Sequence, residues 1–143
     1  MKITSDWLLA SVMLAGALLL AGCCGSRIAE CNKFVGVINK NSEAIKKGAD
    51  KLNSSKRTPP DIAEFAKSIE QAGDEAKAVE LKDETLRGLA NQYREMLEKY
   101  AAAAKNMNST EPGAQNKAQA ELTSIDATEA ALINKVNAYC GGK

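Results

Sequence analysis

Beyond residue 27, apolar residues return every three or four positions, the spacing that gathers them on one face of an α-helix. Ile28, Cys31, Val35, Ile38, Ser42, Ile45, Ala49 and Leu52 follow this rhythm and predict a first helix. The run 53–60, NSSKRTPP, breaks it, and Thr58 is suited to cap the next helix with prolines in the first turn, where a missing N–H costs nothing. Ile62, Phe65, Ile69, Ala72, Ala76 and Val79 then predict a second helix. Leu86, Leu89, Tyr93, Met96, Leu97, Tyr100, Ala103 and Met107 predict a third, and Ala118, Leu122, Ile125, Leu132, Val136 and Tyr139 a fourth, ended by Gly141-Gly142.

The junction between the second and third stripes decides the architecture. A continuous helix from Asp61 to Asn106 would reach about 70 Å, and no other segment could cover it. Asp83 is a good N-cap and Glu84 suits a first turn, so the stretch is divided at 81–85. The stop between the third and fourth helices is 106–113, with Glu111-Pro112-Gly113. Four helices of similar length predict an all-α, up-down four-helix bundle. Phe, Trp and Tyr make up only 4% of the chain, too little for an average β-sandwich.

The N-terminal segment has a different pattern. Met1-Lys2 is basic, Asp6 is an acidic blemish, and Trp7 to Ala21 carries no charge. That apolar run has the length of a signal-peptide core and is short for a membrane span. Leu20-Ala21-Gly22-Cys23 at its end resembles the lipobox of bacterial lipoprotein precursors at all four positions. The resemblance implies cleavage after residue 22, a diacylglyceryl group on Cys23, and acylation of the new amino terminus. Two or three acyl chains make a durable anchor where a single one binds marginally. Cys24 stands where an acidic residue is associated with inner-membrane retention, which favours the outer membrane. The expected organisation is a signal peptide at 1–22, a lipidated tether at 23–27, a helical domain at 28–140 and a tail at 141–143. The whole resembles small helical-bundle lipoproteins of the cell envelope.

In an exported, oxidising setting the remaining cysteines acquire a purpose. The first and last ends of an up-down bundle meet only when the helix count is even, so four helices bring Cys31 and Cys140 together. A bridge there closes a loop of about 110 residues and stabilises the fold by roughly 4–5 kcal/mol in the chain-entropy picture. The competing reading takes Cys31 as a small buried apolar residue. Cys24 is left as a free thiol or a second attachment point.

Composition narrows the chemistry. The 19 basic and 18 acidic residues nearly cancel, so no charge excess argues for nucleic acid. The chain has no histidine, which removes the side chain most used in general acid–base catalysis near neutral pH. Di-iron, haem and zinc-finger patterns need histidines, so no metal or cofactor is expected. Glu95 and Glu98 share a helix face and, with Lys99 beside them, read as solvated; Met96 and Met107 fall on the apolar stripe. The asparagines at 32, 39, 41, 134 and 137 read as solvent-facing in preference to an amide network.

These features predict a lipid-anchored envelope protein acting as a non-catalytic binding or structural module. The alternatives are a bundle that binds an apolar small molecule, in a cavity lined by Tyr93, Met96 and Tyr100, or an enzyme with a carboxylate and lysine site. The tether spans at most about 28 Å, which sets the bridged end near the membrane. The loops at 53–60 and 106–113 then form the far tip, with Lys56 and Arg57 as candidate contacts for an envelope partner. Lys46, Lys47 and Lys51 lie in the same basic region, but cations are favoured at a helix C-terminus in any case.

Overall fold

The computed structural model describes residues 24–52 and 58–141. Four helices follow one another: α1 (Cys24–Leu52), α2 (Pro59–Ala78), α3 (Glu84–Asn106) and α4 (Ala114–Cys140). Consecutive helices pack along their lengths as an up-down bundle, and α1 returns to α4 far more sparsely.

Each boundary has a local cause. At the start of α2, the Asp61 carboxylate reaches back to accept from the Thr58 N–H at 2.7 Å and the Thr58 hydroxyl at 2.6 Å. Pro59 and Pro60 fill the positions where no N–H is required. Asp83 caps α3 by accepting from the Leu86 N–H at 2.9 Å. Gly113 enters α4 with φ +83°, a conformation that costs a side-chain-bearing residue roughly 1–2 kcal/mol. The Gly141 N–H closes α4 onto the Asn137 carbonyl at 2.7 Å.

The predicted stripes of α2, α3 and α4 are buried almost as expected. That of α1 holds at Cys31, Ile38, Ile45, Ala49 and Leu52 and moves by one residue at two positions. Phe34 and Asn41 face the core, whereas Val35 and Ser42 are half-buried. Phe34 claims the interior because it meets the edge of Tyr93, with ring centroids 6.2 Å apart and planes at 79°. Ile28 is 52% exposed, because α4 ends at Cys140, opposite Cys31, and does not reach it. The helix begins at Cys24 and so takes in residues 24–27, which the sequence suggested as a tether.

Cys31 and Cys140 are joined, with Cα atoms 5.6 Å apart. Around the bridge, the segment linking α2 and α3 is fixed from both sides. The Glu30 carboxylate accepts from the Lys82 and Asp83 N–H groups, each at 2.8 Å, and the Lys33 ammonium donates to the Glu80 carbonyl at 3.1 Å. The Tyr139 hydroxyl donates to Asp83 at 2.7 Å, while Arg27 lies 5.5 Å from the centre of the Tyr139 ring. The Leu86 N–H, and after it the Tyr139 hydroxyl, hold the Asp83 carboxyl below the usual carboxylate range. No helix among the described residues is long and apolar enough to cross a membrane.

Candidate functional site

Two places depart from plain helix packing: a polar layer midway along the bundle and an open cleft at the bridged end. The layer begins with Asn41 of α1, the one buried polar residue among those described, at 2% exposure. Its amide nitrogen donates to the Ala72 carbonyl of α2 at 3.0 Å. The asparagines at 32, 39 and 134 are exposed and Asn137 is half-buried; Asn41 alone departs from the solvent-facing expectation, because it lies three residues after Ile38 and four before Ile45 on the buried face of α1.

Tyr93 of α3 faces this region. It is 1% exposed, and its hydroxyl lies near Asn41 and Ser42 without a hydrogen-bond partner among the described residues. An unpaired buried hydroxyl costs about 1–3 kcal/mol. Burial, reinforced by the negative charge of Glu129, pushes Tyr93 well above the ordinary tyrosine range. Tyr100, edge-on to Phe65 at 5.7 Å, is raised by burial and by Asp126 and Glu129. Glu129 itself is raised first by burial and then by Asp126, and Asp126 by burial. Neutral tyrosines, an amide and two carboxyls that resist ionisation supply hydrogen-bonding groups; no group of three or more His, Cys, Asp or Glu able to hold a metal ion occurs among the described residues.

The cleft has an open volume of about 590 Å³ and lies between the start of α1, the end of α2, the 79–83 linker and the first turns of α3. Lys33, Lys77, Lys82 and Arg87 line it, with Glu30 and Glu80 as the acidic members and Val79 and Leu81 on its apolar floor.

The residues singled out from the sequence fall in several places. Cys31 and Cys140 meet, whereas Cys23, Lys56 and Arg57 lie outside the described residues. Glu95 and Glu98 are exposed, with Glu98 3.7 Å from Arg94. Met96 and Met107 are buried in the core. Lys47 and Lys51 are engaged by Glu43 and Glu64 at 2.7 and 2.9 Å. Two features escaped sequence reasoning. Continuing the stripe of α4 by steps of four and three from Ile125 to Leu132 lands on Glu129, so a carboxylate on the apolar face was a readable signal. The four cations of the cleft come from three helices and the linker between two of them, and share no spacing that could have revealed them.

No protein-family model, curated protein or solved structure matches this chain.

Proposed function

We propose that this is a lipid-anchored protein of the bacterial cell envelope whose bundle acts as a non-catalytic binding or structural module. The observation that carries the reading is the sequence Leu20-Ala21-Gly22-Cys23 at the end of an uncharged run. The Cys31–Cys140 bridge supports it, because a disulfide between distant helices persists in exported proteins and is rare in a reducing cytosol. Near-complete burial of Tyr93 and Met96 favours a binding surface over an internal store for an apolar molecule. In this reading the bridged end faces the lipid, and the far tip, with Lys56 and Arg57, contacts an envelope partner.

The anchor is tested by replacing Cys23 with Ser and comparing intact mass and membrane fractionation with the native protein in a bacterial host. The native protein should carry acyl mass and sediment with membranes, and the Cys23→Ser protein should do neither. An unmodified Cys23 in the native, membrane-associated protein would overturn the reading.

A further inference from the structure

What sets four basic residues of the bundle apart is their convergence. Three on its flanks pair across helix boundaries, Lys40 with Glu75 at 2.7 Å, Lys51 with Glu64 at 2.9 Å and Lys105 with Glu70, while Lys46, Lys67, Lys99 and Lys135 stand singly along the helices. At the bridged end Lys33, Lys77, Lys82 and Arg87 surround one cleft, and none of them takes part in an ion pair among the described residues.

Two of these cations also stand against the local field. Lys82 precedes the N-cap of α3 and Arg87 lies in the helix's opening turn, where the macrodipole favours negative charge. The nearby carboxylates Glu30 and Asp83 form no ion pair with either cation among the described residues. Glu30 is engaged by the Lys82 and Asp83 backbone N–H groups, and Asp83 by the Leu86 N–H and the Tyr139 hydroxyl. Glu80 lines the cleft and Glu84 stands exposed beside it, leaving four cations against two carboxylates on the lining. A concave, cationic site whose ammonium and guanidinium groups lie outside any ion pair among the described residues is complementary to a phosphate oxyanion, which Arg binds in a fork and Lys as a point charge.

The location chooses the source of that phosphate. Ala29 in the cleft wall lies five residues after Cys24, the first residue of α1 and the one that follows Cys23 in the chain, a rise of about 8 Å along the helix. The headgroup layer of a bilayer is about 5–8 Å deep. We propose that the cleft binds the phosphate-bearing headgroup of an anionic phospholipid in the membrane that holds the protein. The inference rests on the lipid-anchor reading for its closeness to the bilayer. Contact at this end tethers the bundle at a second point beside the acyl chains, fixing its orientation and directing the 107–113 loop away from the surface.

The test uses the mature protein extracted from membranes and reconstituted with vesicles of phosphatidylcholine alone or mixed with phosphatidylglycerol. Flotation with phosphatidylcholine reports the anchor; the difference between the two vesicle types reports the cleft, because an unanchored protein would float with the anionic vesicles alone. Amide exchange across residues 79–87 should slow about fivefold on anionic relative to neutral vesicles, the factor that the attraction of one surface cation to an anionic leaflet represents. High salt should remove the effect, as should the double variant Lys82→Gln, Arg87→Gln, whose side chains are exposed. Equal exchange on both vesicle types, or an effect that survives in the double variant, would overturn the proposal. Equal slowing by inorganic phosphate on neutral vesicles would also overturn it, by making soluble phosphate the ligand.

Discussion

At the scale of single residues, the bundle carries an energetic cost at its middle. Glu129 occupies a core-stripe position of α4, and burial and Asp126 raise its pKa above the ordinary glutamate range. A carboxyl raised on folding binds its proton more tightly in the native state. Stability therefore falls as pH rises from the unfolded value through the folded one. Glu129→Gln is expected to raise the melting temperature at neutral pH and to flatten its decline between acidic and neutral pH, as checked by thermal melts across that range. A lower melting temperature for the variant at neutral pH would mean that the carboxylate has a stabilising partner. Tyr93→Phe removes a buried hydroxyl that has no hydrogen-bond partner among the described residues. It is expected to leave stability unchanged or increase it by up to about 1–3 kcal/mol, measured by urea unfolding.

At the scale of helices, glycine has opposite meanings at two positions of α1. A Cβ added at Gly36 meets nothing within 4 Å, whereas one added at Gly48 comes within 2.6 Å of Cδ2 of Phe65. The Phe65 ring is 3% exposed and edge-packed on Tyr100, so it has little room to swing away. Gly36→Ala should therefore stabilise the protein by about 1 kcal/mol through helix propensity alone. Gly48→Ala gains the same propensity but overpacks the α1–α2 contact at about 1–3 kcal/mol, for a net loss. Denaturant melts of the two variants should move in opposite directions. A stabilised Gly48→Ala would show that α1 and α2 can separate there without cost.

At the scale of the whole molecule, the disulfide holds together the two helices that touch each other least among neighbours. Removing it with Cys31→Ala and Cys140→Ala should cost roughly 4–5 kcal/mol, read as a lower denaturation midpoint at preserved helical circular dichroism in the absence of denaturant. Amide exchange should accelerate most in the last turns of α4, where Tyr139 and Cys140 make its ties to the rest of the fold. If the proposed tip contact is real, Lys56→Glu with Arg57→Glu should reduce crosslinking of the native protein to its envelope neighbour without altering helicity or membrane attachment. Unchanged crosslinking would move the contact to the helix faces.

The helices were legible because amphipathic spacing, prolines at 59–60 and the Asp83 cap act through neighbours a few residues apart. The Cys31–Cys140 bridge followed from an even number of helices, a consequence of topology already implied by those boundaries. The candidate anchor is likewise a contiguous motif, readable without any fold. What the spacing left open on α1 was which of two adjacent residues turns inward: Phe34 takes the place of Val35 and Asn41 that of Ser42, and the choice falls to whichever partner each side chain meets across the interface. That the Tyr93 hydroxyl has no hydrogen-bond partner among the described residues depends on the same packing. The cationic cleft lies furthest from sequence reasoning, since Lys33, Lys77, Lys82 and Arg87 converge only when α1, the end of α2 and the start of α3 are packed together. Local periodicity depends on backbone geometry and is written along the chain. A surface assembled from three elements exists only after their faces have been chosen by packing.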